Sequence, residues 1–218
     1  MFSIIIPCKN YGNFLTKCVK SINIENKYLD EVLIINDNSS DNTNIIGQKL
    51  SKFNKIKFVN VNFNSLNKTI NFAVNKINSD YFSRIDPDDL YHQNFFNILV
   101  NENIKNNYDY IYGDIFLIKN KKIKYIDQEI LNIFNKFKYP LSNGNLVKKQ
   151  KFLSVGGIDQ NLTFKDDYDL WSKLIKSGSS IKYVKTPTFF YNRHDRNMSK
   201  NILRKNLTYL KLLIKNFI

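Results

Sequence analysis

Four short apolar runs, each closing in polar residues, alternate with three amphipathic segments in the first ninety residues, and that rhythm leaves few folds open. Phe2–Ile6 closes at Pro7. Glu31–Ile35 runs into Asn36-Asp37-Asn38-Ser39-Ser40-Asp41, Ile56–Val61 is the third run, and Tyr81–Ile85 ends in Asp86-Pro87-Asp88-Asp89. Between them, Phe14, Leu15, Cys18, Val19 and Ile22 recur at helical spacing. Ile45, Ile46, Leu50 and Phe53 form the next such face, behind Asp41 as helix cap, and Leu66, Ile70, Ala73, Val74 and Ile77 form the third. A β-α-β-α-β-α-β order predicts an α/β fold, a Rossmann-like, mostly parallel sheet with helices on both faces. Right-handed crossovers put the polar strand ends on one edge, so Pro7–Asn10, Asp37 and Asp86–Asp89 converge.

The fourth run carries the sharpest chemical signal. Tyr, Phe and Ile suit a half-buried pleat, and Pro87 stops the ladder because it has no N–H. Three acids follow within four residues, at the strand end where open α/β sheets bind ligands. They repel one another, and a divalent cation would relieve that. Mg²⁺ takes one or two carboxylates, keeps waters and completes its shell with substrate phosphate oxygens. A solvated acidic turn is the competing reading of so short a motif. Arg84 can pair with this cluster or with a diphosphate.

Beyond Asp89 the pattern changes. Phe95, Phe96, Leu99, Val100 and Ile104 predict a helix, with His92 on its surface. Tyr108–Ile118 and Ile123–Ile126 read as a hairpin around the lysine turn Lys119–Lys122. Ile130, Leu131, Phe134 and Phe137 predict a short amphipathic helix. Ser142–Val147 reads as extended, with Gly144 permitting close backbone approach. Gly156-Gly157-Ile158-Asp159 is a turn, and Asp166-Asp167-Tyr168-Asp169-Leu170-Trp171 opens a helix to about Lys176. Ile181–Val184 and Thr188–Tyr191 read as two short strands. From Asn201 a stripe of Leu203, Leu207, Leu210, Ile214 and Phe217 predicts a basic amphipathic helix. It would lie on an anionic membrane surface or pack on this domain or a partner.

A chain of 218 residues with 43% apolar content can bury the core of one domain. Its net charge of +14 draws polyanions, although no nucleic-acid motif accompanies the lysines. Two cysteines make no disulfide framework, so a reducing, cytoplasmic setting is the expectation. Neither a signal peptide nor an apolar run of membrane-spanning length is read here.

Five segments together resemble family 2 inverting glycosyltransferases of the GT-A fold, in that family's order over residues 2 to about 199. They are Ser3–Asn10, Glu31–Asp41, Asp86–Asp89, Gly156–Asp159 and Asp166–Trp171. The resemblance implies a GT-A domain over 1–199, with a nucleotide-binding half (1–90), a smaller acceptor-binding β/α half (91–199), and the C-terminal helix at 200–218. It implies transfer of one sugar from a nucleotide-sugar, UDP-linked by analogy, to a hydroxyl of a glycan or lipid-linked glycan in surface polysaccharide synthesis. It makes Asp88 the direct ligand of Mg²⁺ or Mn²⁺, with Asp86 reaching the donor ribose or the metal's waters. Asp37 takes a base N–H, Pro7 and Asn10 line the nucleotide pocket through backbone, and Asp167 is the base that deprotonates the acceptor. His194 is a metal ligand or a diphosphate contact. Asn36 and Asp166 depart from the commoner Asp and Glu. The Gln-x-x-Arg-Trp element of processive synthases is absent after Asp167, which favours a non-processive enzyme. A nucleotidyltransferase would carry a glycine-rich loop where Cys8–Asn13 has one glycine, and a nucleic-acid binder rests on charge alone.

Overall fold

The computed structural model describes residues 1–128, 139–162 and 166–194. The helices expected over 130–137 and 200–218 lie outside the described residues. Strands β1 (Phe2–Cys8), β2 (Leu29–Asp37), β3 (Ile56–Val61) and β4 (Tyr81–Arg84) alternate with helices α1 (Gly12–Lys20), α2 (Thr43–Leu50) and α3 (Leu66–Lys76). They lie in the order β3-β2-β1-β4, all parallel. The chain continues through β5 (Leu90–Tyr91), a π-helical turn at Phe95–Leu99 and α4 (Val100–Asn106). The remaining elements are β6 (Tyr110–Lys119), β7 (Lys122–Ile126), β8 (Leu146–Lys148), α5 (Lys149–Ser154), α6 (Asp166–Lys176) and β9 (Ile181–Arg193).

These later strands extend the same sheet as β4-β8-β6-β9-β5, with β7 also on β6. Because β8 is antiparallel to both β4 and β6, β6 and its parallel neighbour β9 point the same way as β1–β4. Six carboxyl ends therefore share one edge. Period-two alternation fills both faces. Ile4, Ile6 and Ile34 pack with Leu15, Cys18, Val19, Phe95 and Leu99 on one side. Ile5, Leu33 and Ile35 pack with Ile70, Val74, Phe152 and Trp171 on the other.

Four expectations need correction. The buried face of α2 is Thr43, Gly47 and Leu50, whereas Ile45 and Phe53 are 57% and 63% exposed. The cause is Gly47, where a Cβ would lie 2.0 Å from the Phe58 ring, so the helix seats on its glycine. Pro7 sits inside β1 and does not end it. It has the parity of Ile5, whose carbonyl accepts from Ile85 N–H at 3.1 Å, and it lies beyond the last β4 pair, so its missing N–H breaks no ladder bond. The two strands expected after Ile181 are one bent strand that shifts register opposite Gly113 and Asp114, where Pro187 is tolerated. His92 follows β5 and packs against the rings of Phe116 and Phe190, off any helix surface. The β6–β7 hairpin forms as expected, with Asn120 and Lys121 at positive φ in its two-residue turn. Among the described residues no helix is long and apolar enough to cross a membrane.

Candidate active site

The carboxyl ends of β1 and β2 are clamped to each other. Asn10, at φ 59°, donates its N–H to Ser39 Oγ (2.9 Å), and its side-chain oxygen accepts from Ser40 N–H (2.7 Å). Asp41 accepts from Gly12 N–H at 3.0 Å and from Thr43 N–H at 2.9 Å. Burial pushes the Asp41 carboxyl up, and these hydrogen bonds outweigh it, leaving the group below the usual carboxylate range. At the end of β2, Asp37 is 3% exposed. Its Oδ1 accepts from Phe63 N–H (2.7 Å) and Asn64 N–H (2.8 Å), and its Oδ2 from Ser65 N–H (2.9 Å) and Thr69 Oγ1 (3.1 Å). The structure thus brings Asp37 to the predicted edge but spends its carboxylate on the loop that enters α3. Asp37 thus holds the 63–65 loop from the strand end where a contact to a base N–H was expected.

The three acids after β4 do not pool around one point. Arg84, only 7% exposed, grips Asp86 with its fork, Nε to Oδ1 at 3.0 Å and Nη2 to Oδ2 at 3.1 Å. Its Nη1 donates to Asp166, 82 residues away. Arg84 therefore closes an internal triad between the end of β4 and the first turn of α6. Burial works against the guanidinium charge, but Asp86 and Asp166 outweigh it and hold the pKa above its ordinary value. Asp89 is fully buried and accepts from Asn143 Nδ2 (2.6 Å) and Asn192 N–H (2.8 Å). Burial, then Asp88 and Asp86, push its carboxyl well up.

Asp88 faces His194, with Oδ2 and Nε2 2.9 Å apart. Burial, reinforced by Asp86, raises its carboxyl to about 6 against the pull of His194. His194 is stacked on Phe14, with ring centroids 5.3 Å apart. Among the described residues no three His, Cys, Asp or Glu side chains converge as a metal-binding group. The three acids have separate partners, Arg84 for Asp86, His194 for Asp88, and Asn143 with the Asn192 N–H for Asp89.

Helix α6 carries Asp166, Asp167 and Asp169 in its first turn, where acids complement the helix dipole. Asp169 is consumed by the fold, accepting from Asp159 N–H (2.8 Å) and pairing with Lys173 at 2.6 Å. Asn67 and Asn71 of α3 hold the same Ile158–Leu162 turn through Asp159, Leu162 and Ile158. Asp167 accepts from Tyr168 N–H at 2.9 Å. Tyr139 packs edge-on against Tyr168, with ring centroids 5.3 Å apart, and burial raises its phenol, with Asp167 and Asp166 pushing the same way. Trp171 and Leu170 are helix–sheet packing, Trp171 lying edge-on to Tyr110 and Tyr112.

Of the predicted site residues, the structure joins Asp88 with His194, and Arg84 with Asp86. It sets Asp167 beside that triad and places Pro7, Asn10 and Asp37 along the neighbouring strand ends. Asn143, Asp89 and Tyr139 are additional groups at the site. Asn143 could have been found from Gly144 beside it. Gly144 is at φ +63°, a Cβ there would lie 2.5 Å from the Phe189 ring, and its N–H reaches the Arg84 carbonyl at 2.9 Å.

Known proteins resemble this chain in sequence and in fold. An uncharacterized glycosyltransferase of Rickettsia bellii is 30% identical over 224 residues, covering 94% of this chain and 32% of its own length. A second, from Rickettsia felis, is 28% identical over 189 residues, covering 81% of this chain and 31% of its own. The chain thus spans about a third of these relatives. Two crystal structures of S. aureus TarS 1-349 superpose, one in complex with UDP-GlcNAc with a TM-score of 0.77 and a second with 0.72. The first has 16% identity and covers 91% of this chain and 60% of TarS 1-349. The second has 15% identity and covers 88% and 60%. Residues 3–158 match the profile of glycosyl transferase family 2, and the sheet is the GT-A sheet seen in TarS. The chain belongs to glycosyl transferase family 2.

Proposed function

We propose that this chain is an inverting, non-processive glycosyltransferase that moves one sugar from a UDP-linked donor to an acceptor hydroxyl. The observation that carries the reading is the meeting of two parts at one sheet edge. The Asp88–His194 pair and the α6 turn bearing Asp167 are tied together through the Arg84 triad. Residues 1–90 form the donor half, and the remainder through His194 forms the acceptor half. The donor nucleotide lies along the ends of β1 and β2, against the backbone at Pro7 and Asn10. Asp37 shapes that wall by holding the 63–65 loop.

Asp88 and His194 fit a divalent cation that takes two protein ligands and completes its shell with water and diphosphate oxygens. When bound, it would supply Lewis-acid stabilisation of the departing diphosphate's charge. The acceptor hydroxyl is a poor nucleophile, and Asp167 takes its proton as oxygen bonds to the anomeric carbon. The bond from that carbon to the donor phosphate oxygen breaks on the opposite face, and UDP leaves with the electron pair. Arg84 holds Asp86 and Asp166 in register, so base and donor pocket keep a fixed spacing.

The test is a screen of UDP-sugars for release of UDP, with and without Mn²⁺, on wild type and Asp167→Asn. Slow hydrolysis of one donor by wild type, metal-dependent and retained at the UDP-binding level in the variant, is expected. Lack of UDP release and of UDP binding across the screen would overturn the proposal.

A further inference from the structure

Of the three acids after β4, Asp89 has no part in the chemistry so far, yet it is the most deeply buried of them, at 1% exposed. Sealing a carboxylate from water is costly, so the position needs a reason. Its two oxygens go separate ways. Oδ2 accepts from Asn143 Nδ2 at 2.6 Å, 54 residues on, and Oδ1 accepts from the Asn192 N–H at 2.8 Å, 103 residues on. Asn143 is itself fixed beside the end of β4. It pairs in parallel with Arg84, and the Gly144 N–H donates to the Arg84 carbonyl at 2.9 Å.

The bond to Asn192 replaces a step of the sheet. β5 and β9 pair antiparallel at Leu90–Phe190 and Tyr91–Phe189, and the His92 N–H donates to the Thr188 carbonyl at 2.9 Å. Bonded pairs recur at every second residue along such a ladder, so the next one beyond Leu90 would join the backbones of residues 88 and 192. The Asn192 N–H goes to the Asp89 side chain instead. Asp89 also donates its own N–H to the Asp86 carbonyl at 3.0 Å, closing a four-residue turn with Pro87 second and Asp88 third. Asp88 is therefore carried in a closed turn whose last residue is pinned to β9. His194 lies two residues past Asn192, and its Nε2 stands 2.9 Å from Asp88 Oδ2. On its other flank β9 is paired with β6 as far as Arg193. The acceptor half thus fixes β9, and Asp89 fixes the Asp88 turn to it.

We propose that Asp89 is the positioning residue of the cation site. It sets the Asp88 turn against the end of β9, so that Asp88 and His194, 106 residues apart, meet as a ligand pair, and it touches neither cation nor donor. The inference rests on the transferase reading for what the pair binds and on the hydrogen bonds for how the pair is set. The role needs an acceptor toward Asn192 and a partner for the Asn143 amide, and it needs no charge. An amide at position 89 meets both needs. Its oxygen accepts from Asn192, and its nitrogen donates to Asn143 Oδ1 once the Asn143 amide turns over. That oxygen is buried and without a partner among the described residues. An acid that ligated the cation would lose its function on the same substitution.

The experiment compares wild type with Asp89→Ala, Asp89→Asn, His194→Ala and the double variant Asp89→Ala/His194→Ala. Calorimetric titration of UDP with and without Mn²⁺ gives the metal-dependent part of binding. Amide hydrogen exchange at Asn192 reads the anchoring bond with neither metal nor nucleotide present. Asp89→Ala is expected to weaken metal-dependent binding about 10–100-fold and to speed exchange at Asn192 at least about tenfold. Asp89→Asn is expected to rescue both to within about threefold of wild type. Because Asp89 acts through the pairing with His194, the double variant should bind within about twofold of His194→Ala. Folded Asp89→Asn as weak as Asp89→Ala would overturn the proposal and make the acid a ligand. So would a double variant that shows both losses in full. Should Asp89→Ala not fold, the Asp89→Asn result decides on its own. Wild type that binds no UDP sinks the transferase reading, and exchange then judges the anchor alone: a rate at Asn192 unchanged in Asp89→Ala overturns it.

Discussion

Strands β2 and β4 flank β1, and each delivers a carboxylate to the same edge, but the chain spends the two differently. Asp37 meets three backbone N–H groups and the Thr69 hydroxyl and is sealed from water. Asp88 is also largely buried, yet it faces a histidine at the mouth of the site and its carboxyl is pushed up to about 6. Burial alone therefore does not distinguish the two carboxylates. Their partners do. Under the proposed function, Asp37 with four donors from the fold holds a loop, and Asp88, set against His194, takes the cation.

The strongest blow to this comparison would come from the acid that is neither. Asp167→Asn removes the proposed base from the α6 turn and should lower turnover by about 10²–10⁴-fold, with UDP affinity unchanged. Steady-state kinetics beside a UDP titration checks both halves. Next, Asp88→Asn should cost about 10²–10³-fold in turnover and leave the melting temperature near that of wild type. Asp37→Asn should behave in the reverse sense. An amide nitrogen would then oppose two of the four donors, destabilising the fold by about 2–3 kcal/mol in urea unfolding, while surviving folded protein keeps its activity. If Asp37→Asn kills activity in fully folded protein, the sorting rule fails.

The smallest effect concerns the buried thiols. Burial raises Cys8 to about 12 and lifts Cys18 well above its ordinary value. Both protons are held more tightly folded than unfolded, so this contribution is complete below about pH 8.5 and is lost as pH rises toward the folded values. Native protein at pH 8 should resist alkylation of both cysteines, and stability should decline above about pH 9. Rapid native-state labelling would contradict the packing of Cys18 under α1 and of Cys8 against Thr43.

The first half of the fold was legible because its strands are buried on both faces and its helices have a clear period, so each element declares itself locally. The errors fall where a contact distant in sequence decides. Gly47 seats α2 on Phe58 and turns Ile45 and Phe53 outward, which no helical wheel weighted by apolar residues can show. Strand β5 is two residues long and exists only because β9 returns beside it. At the site, the motifs brought the strand ends to one edge as expected, with β1 running one residue past Pro7, and Asp88 and His194, both named there, stand in contact. The partners of the acids did not. That Arg84 would join Asp86 to Asp166, and that Asp89 would be taken by Asn143 and Asn192, depends on contacts spanning 54 to 103 residues. The partners of Asp37 were hidden for a related reason, since three of its four donors are backbone N–H groups at 63–65 that side-chain chemistry does not announce.

The most direct test is a calorimetric titration of UDP with and without Mn²⁺ on wild type, Asp88→Asn and Asp37→Asn. Metal-dependent binding in wild type and Asp37→Asn, with the metal-dependent part lost in Asp88→Asn, is the predicted result. Asp88→Asn binding as wild type does, with Asp37→Asn folded but blind to UDP, would contradict the account and return Asp37 to the nucleotide base.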